Sequence, residues 1–403
     1  MNETQKTSSF SQALLWFGAA VSIAEILTGA LLAPLGLAKG FLAILLGHVI
    51  GCIVFYFAGL IGAKSGLSAI ETTRLSFGKY GSYFFSILNV IQLLGWTAVM
   101  TISGAQALDT VTASTMNYKN MALWCVVIGA FIVIWLLIGV KNLSKLNVVV
   151  MALLFVSSVV LGVIVLRGVT SGVKAVSGTL TFGAAVELSV TMPLSWLPLI
   201  SDYTRTVKHP KAGSALSAIG YFVGSCMMYG IGLAAAVFAG TSDISAILVS
   251  AGLGTVALFI VIFSTVTTTF LDAYSGGVSI VNLNKKINEK YAALAVCVVG
   301  TVIAIFVSMD LYVNFLYFIG SVFAPLFAVV ITDYFLLKGT ETNEKSLLNA
   351  KNLVIWAVGF TGYQILLHYD SPVGTTLPVM AGVSVLCLLA AKFNIILYSK
   401  KRA

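Results

Sequence analysis

Two carboxylates stand in otherwise apolar sequence: Glu25 in Ala-Ala-Val-Ser-Ile-Ala-Glu-Ile-Leu-Thr-Gly, and Asp272 in Thr-Val-Thr-Thr-Thr-Phe-Leu-Asp-Ala-Tyr-Ser-Gly-Gly. An ionisable group in hydrocarbon costs about 2.5 kcal/mol or more on insertion scales, so each needs a partner or a polar cavity. No basic residue lies within a helical turn of Glu25. That leaves a protonated acid hydrogen-bonded between helices, or a cavity acid that binds substrate or shuttles a proton; the second is the expectation. Asp272 follows Thr268 and Thr269 by about one turn and can share a helical face with them. A place near the cytoplasmic end of its segment is the competing reading. Ser264, Thr267 and Thr268 are spaced i, i+3, i+4, which puts three oxygens on one face, as a hard cation such as sodium prefers. Threonines in membrane helices also bond to their own backbone, so a cation site and plain back-bonding both stay open.

Gln92, Gly95 and Trp96 fall in one apolar segment, and Ser195 and Trp196 in another that carries Pro193 and Pro198. Two tryptophans away from the interfacial belts can stack on a flat heteroaromatic ring, with Gln92 and Ser195 supplying hydrogen bonds; core or lipid-facing packing is the alternative for each. Glu187 and His48 read as structural. Asp202 and Arg205, at i and i+3, either latch an inner gate or anchor the interface.

These residues must be positioned by apolar helices. Of 403 residues, 59% are hydrophobic and 9% charged, with a mean hydropathy of +1.01, whereas soluble chains carry about a quarter charged residues. Apolar runs near the roughly 20 residues needed to cross a bilayer occur at about 13–35, 40–63, 81–108, 120–140, 146–166, 183–204, 212–240, 247–281, 291–309, 312–337, 351–370 and 376–398. The expected fold is an all-α membrane protein with twelve transmembrane helices in a single domain. Pro193 and Pro198 each remove a backbone donor inside the sixth span. Gly18, Ser22, Glu25, Thr28 and Gly29 interrupt the first. Symmetry-related broken helices are the mark of inverted-repeat transporters, which suggests a first repeat over about 13–166, a second over about 183–337 and accessory helices over about 351–398.

With the amino terminus inside, 19 of the 23 Lys and Arg residues fall on the cytoplasmic side, and only Lys39, Lys119, Arg167 and Lys174 fall opposite. That asymmetry places both termini in the cytoplasm. The net charge of +9 is scattered in short clusters between spans, so it reads as topology signal rather than nucleic-acid binding. Cysteines at 52, 125, 226, 297 and 387 all lie in apolar segments without a CxxC pair, which implies neither a disulfide framework nor a metal centre. No cleaved signal peptide is expected. His48, His209 and His368 are scattered without a nucleophile motif, which argues against an enzyme. A broken span argues for occlusion rather than an open channel.

Three stretches carry a resemblance. Ile61-Gly-Ala-Lys-Ser-Gly-Leu67 is followed by Arg74-Leu-Ser-Phe-Gly-Lys-Tyr-Gly-Ser82; then come Gly95-Trp96, and Ser201-Asp-Tyr-Thr-Arg205 after the broken sixth span. Over essentially its whole length the chain resembles the nucleobase:cation symporter-1 family, cytosine and hydantoin permeases among them, and looks closest to the bacterial branch assigned to hydroxymethylpyrimidine. The resemblance implies a LeuT-type fold of five plus five inverted helices with two additional ones, and a substrate slot between spans 1, 3, 6 and 8. It implies Trp96 as the stacking tryptophan, Ser195 and Trp196 as substrate contacts, and Thr269 at a position where relatives often carry an Asn. Sodium would lie between the carbonyls of Gly18 and Val21 and the oxygens of Ser264, Thr267 and Thr268. Thr269, Gln92 and Glu25 depart from the cytosine and hydantoin pattern. A carboxylate beside the slot can pair with the amidine-like edge of an aminopyrimidine.

The expectation is therefore a cation-coupled importer, in a bacterial inner membrane, of a pyrimidine such as hydroxymethylpyrimidine, a thiamin precursor. Cytosine or another nucleobase or hydantoin is the alternative. Glu25, Gln92, Trp96, Ser195, Trp196, Thr269 and Asp272 are the expected substrate residues. No cofactor and no obligate protein partner are implied, and the coupling ion is Na+, with H+ through Glu25 as a variant.

Overall fold

The computed structural model describes residues 6–138, 176–240, 254–339 and 347–400, helical residues 152, 153, 155, 156, 159, 160, 162, 163 and 167, and only the backbone for 254–261 and 394–400. The described residues are helical apart from loops and one isolated bridge between Thr7 and Val207. In a bilayer the helix satisfies every backbone donor within its own segment, so apolar runs of this length have little other choice. Eight helical stretches among the described residues are long and apolar enough to span a membrane.

The first expected span is two helices, α1 (Ser9–Ala20) and α2 (Ile23–Leu31), closed by a short 3-10 turn Ala33–Leu35. Then follow α3 (Gly36–Ser65), the single turn α4 (Ala69–Thr72), α5 (Arg74–Met116) and α6 (Met121–Ile138). The sixth expected span is also split, into α7 (Phe182–Ser195) and α8 (Leu197–Thr204). The chain continues through α9 (Pro210–Ala239), α10 (Gly254–Leu283), α11 (Glu289–Phe306), α12 (Tyr312–Ile331), α13 (Ala350–Leu366) and α14 (Thr376–Lys400). Most of the fifth expected span, 146–166, and the start of the eighth, from 247, lie outside the described residues. The third runs further than hydropathy indicated: Gly78, at φ 74°, turns the chain near its start, and the helix then persists to Met116. Polar side chains near its end, such as Thr112, bond back to the helix itself and let it outlast its apolar stretch.

Small residues decide which helices meet. Gly220, Gly224 and Gly232 of α9 face α1 and α2 so closely that a Cβ on Gly232 would stand 2.0 Å from the Ile26 carbonyl oxygen, and one on Gly220 2.4 Å from that of Ala13. On α3, a Cβ on Gly47 would meet the Ser189 side chain at 2.4 Å, and one on Gly51 would meet Pro193 at 2.3 Å. Backbone-to-backbone approach of this kind replaces the hydrophobic driving force that lipid removes. The two split helices are thus clasped by α3 and α9 into one bundle, while α5, α6, α10 and α11 pack together beside it.

Candidate functional site

The site begins where the two split helices lose their regular turn. Between α1 and α2, Val21 (φ −76°, ψ 82°) leaves the helical region and Ser22 (φ −139°, ψ 158°) is extended. The Val21 N–H is shared between the carbonyls of Phe17 and Gly18, both at 3.2 Å, and no backbone N–H among the described residues donates to the Val21 carbonyl. Ser22 caps α2, accepting weakly from the Glu25 N–H at 3.4 Å. The second break is milder. Trp196 (φ −90°, ψ −6°) joins α7 to α8 as a tightened turn flanked by Pro193 and Pro198, with its N–H on the Pro193 carbonyl at 3.3 Å.

Glu25 is 2% exposed, and its carboxyl faces α9. The Tyr221 hydroxyl donates to Oε1 at 2.7 Å, and Ser225 Oγ stands 2.5 Å from Oε2. These two contacts engage both carboxyl oxygens with α9. They also supply the partner missing from the local sequence: the fully buried His48 holds Nε2 2.5 Å from the same Ser225 Oγ. His48, read as structural, is joined to Glu25 through Ser225, a link across helices that the sequence did not show. Its only signal was a histidine among small and apolar residues within a span.

Gln92 of α5 donates to the Ser195 carbonyl at 2.7 Å, which brings the third expected span to the second break. The Ser195 hydroxyl donates to the Met192 carbonyl at 2.6 Å, so toward any ligand it offers only an acceptor. The two tryptophans are held by different neighbours. Trp196 makes T-shaped contacts with Trp16 and Tyr221, and its Nε1–H donates to the Tyr221 hydroxyl at 3.0 Å. Trp96, one turn beyond Gln92, lies in T-shaped contact with Tyr312 and Phe315. The buried Trp96 Nε1 and Gln92 Oε1 have no hydrogen-bond partner among the described residues. On α10, which packs along α5, the buried Oγ1 atoms of Thr265, Thr268 and Thr269 are likewise without one. Buried polar atoms are nearly always paired in native proteins, so unpartnered ones on two adjacent helices are candidates for contact with a polar guest.

The helix α10 also packs on α1. Ser264, Thr267, Thr268 and Asp272 are all buried, Asp272 at 2% exposure, and the polar tract is helical throughout. Thr267 donates to the carbonyls of Phe263 and Ser264 at 2.8 and 3.2 Å, the back-bonded arrangement, which leaves its oxygen lone pairs for a cation. Asp202 and Arg205, a gate latch or an interfacial anchor by their spacing, interact electrostatically, and Asp202 also reaches α4. Its Oδ1 accepts from the Ala69 N–H at 2.8 Å. In that same turn, outside the spans, burial pushes the Glu71 carboxyl up, but hydrogen bonds from the Ser68 backbone and hydroxyl, with Arg74 and Arg205 nearby, outweigh it and leave the pKa below its ordinary value. Glu187 is structural, as expected: it gathers the Tyr363 hydroxyl and the backbone N–H groups of Thr375 and Thr376, tying α7 to α13 and α14.

Residues 1–362 match the profile of a family described as permease for cytosine/purines, uracil, thiamine, allantoin. The cytosine permease of Escherichia coli (strain K12) is 29% identical over 299 residues, covering 73% of this chain and 70% of that protein. The hydantoin permease of Microbacterium maritypicum is 23% identical over 375 residues, covering 85% and 76%. Among solved structures, Mhp1, a nucleobase-cation-symport-1 family transporter in a closed conformation with bromovinylhydantoin bound, superposes with a TM-score of 0.82 at 20% identity, over 97% of this chain and 93% of that one. A Na+-coupled sialic acid symporter in a substrate-bound outward-open state gives 0.72 at 12% identity, over 97% and 90%. These likenesses bear out the all-α, LeuT-type fold expected from the sequence.

Proposed function

The chain belongs to the family of permeases for cytosine/purines, uracil, thiamine and allantoin, and on that premise we propose that it imports a small pyrimidine, hydroxymethylpyrimidine first, by cation-coupled alternating access. The observation that carries the choice of ligand class is the set of buried atoms without partners on α5 and the adjacent α10: the Trp96 N–H as donor, Gln92 Oε1 as acceptor and the Thr269 hydroxyl as both. An aminopyrimidine presents the complementary ring nitrogen and exocyclic amine on one edge, and leaving either side unpaired costs ~1–3 kcal/mol. The Ser195 oxygen and Asp272 complete the polar rim. Trp96 supplies aromatic surface, and Trp196 acts by holding the break. Cytosine or a hydantoin is the second reading, favoured by the names of the relatives and sharing the same donor–acceptor edge.

Sodium is the proposed coupling ion, held by the Gly18 and Val21 carbonyls at the first break and by Ser264, Thr267 and Thr268 on α10. The undonated Val21 carbonyl and the unpartnered Thr268 Oγ1 support this reading; oxygen ligands suit a hard cation. Repeats over about 13–166 and 183–337 rock against each other around the site, with 351–398 as accessory helices and both termini cytoplasmic. The test is uptake of radiolabelled hydroxymethylpyrimidine and cytosine into proteoliposomes under an imposed sodium gradient. Gradient-driven accumulation of the first above the second is expected. Accumulation of neither removes the proposal.

A further inference from the structure

The hydrogen positions around Ser225 can be counted. His48 Nδ1 lies 2.8 Å from the Ile44 carbonyl oxygen, which only accepts, so Nδ1 carries a proton and a neutral imidazole leaves Nε2 bare. Ser225 Oγ stands 2.5 Å from both His48 Nε2 and Glu25 Oε2. Contacts that short need a proton between the heavy atoms. Ser225 brings one proton for two contacts. With Glu25 ionised and His48 neutral, one contact would set lone pair against lone pair. The Tyr221 proton does not fill the gap, because it is used on Glu25 Oε1, with the Tyr221 oxygen accepting from Trp196 Nε1.

The geometry points to a proton-binding site made of Glu25, Ser225 and His48, which holds one proton more than an ionised glutamate and a neutral histidine supply and exchanges it during the transport cycle. The extra proton sits either on Glu25 Oε2, which donates to Oγ while Oγ–H donates to Nε2, or on Nε2, which donates to Oγ while Oγ–H donates to Oε2. Moving two protons through Ser225 interconverts the forms, with no net change of charge across the triad. Releasing the proton leaves one contact proton-free, so the triad must open. Through Tyr221 the carboxyl is bonded to Trp196 at the second break, and Glu25 itself follows the first break by three residues. Loss of the proton is thereby linked to movement at both breaks. The titratable groups facing the triad are Tyr221, Cys226 and Tyr229 from α9, Cys52 from α3, and Tyr312 from α12 through Thr28. Tyrosine and cysteine are weak acids that keep their protons near neutral pH, so the exchangeable proton belongs to Glu25 and His48.

The link to transport rests on the reading of the chain as a cation-driven permease; proton binding itself does not. Two measurements on the full chain separate them. Infrared difference spectra of the protein in lipid nanodiscs between acid and alkaline pH are expected to show a carboxyl or imidazole band that is lost in both Glu25→Gln and His48→Gln. A spectrum unchanged in both variants overturns the site. In proteoliposomes at equal sodium on both sides, an inward proton gradient is expected to drive accumulation of labelled hydroxymethylpyrimidine or cytosine by about tenfold per pH unit, as one proton per cycle requires. His48→Gln and Ser225→Ala are expected to lose that response. Wild-type uptake that follows sodium and ignores pH overturns the coupling while the permease reading stands. If neither compound accumulates under any gradient, the substrate reading fails and the spectra still decide the proton site. Should the variants not fold, the wild-type response to pH is decisive alone.

Discussion

Gln92 donates its side-chain amide to the Ser195 main-chain carbonyl at 2.7 Å, fastening α5 to the break between α7 and α8. The breaking of the helix exposes a carbonyl, and the neighbouring helix answers it. The other end of the amide, Oε1, is left without a partner among the described residues.

Gln92→Ala is expected to orphan the Ser195 carbonyl, at ~1–3 kcal/mol for a buried acceptor, and to remove an acceptor from the pyrimidine edge. The ligand-induced rise in melting temperature, measured in detergent against a panel of pyrimidines, should fall to the level of a non-ligand. An undiminished shift would remove Gln92 from the site.

Thr268→Val keeps shape and deletes one oxygen from the proposed sodium site. The apparent sodium affinity for uptake is expected to weaken by about tenfold or more, or ~1.4 kcal/mol, while substrate affinity at saturating sodium is retained. Sodium titration of uptake reads this directly, and an unchanged titration excludes Thr268 as a ligand.

Gly232→Ala places a methyl where the Ile26 carbonyl oxygen is 2.0 Å away, whereas the same change at Gly382 meets nothing within 4 Å. Overpacking costs ~1–3 kcal/mol and more where backbone is the obstacle. Thermal unfolding should show a large loss for Gly232→Ala and none for Gly382→Ala.

Glu187→Gln turns an acceptor into a part-donor among the Tyr363 hydroxyl and the Thr375 and Thr376 N–H groups. A loss of ~1–3 kcal/mol of stability is expected, with substrate affinity unchanged, since these contacts lie between α7 and the two C-terminal helices. A shift in affinity without a shift in melting temperature would contradict the structural role.

Glu71 has its carboxyl pKa depressed below its ordinary 4.5. A depressed acid contributes stability above its unfolded pKa and loses it as pH falls through the folded one. The turn α4 should therefore loosen only below about pH 4.5, and Glu71→Gln should flatten the melting-temperature profile in that window alone. Half-exposure keeps the effect small.

The sequence alone determined the class of molecule and the course of most helices, because hydropathy over a span-length window is a local property that lipid enforces on any chain. It also located both breaks, since proline and clustered small polar residues weaken a helix wherever they occur. Thr267 and Thr268 were legible as one hydroxyl face for the same local reason. Partnership across helices was not legible. Nothing near Glu25 in sequence announces His48, and Ser225 lies 200 positions away. They meet because Gly220, Gly224 and Gly232 let α9 lie against the first split helix, and the rotation of each helix about its axis follows from that close packing rather than from apolar periodicity. Tertiary structure alone decided that Glu25 meets Ser225 and, through it, His48, that Trp196 is tied to Tyr221, and that Asp202 accepts from the Ala69 N–H of α4.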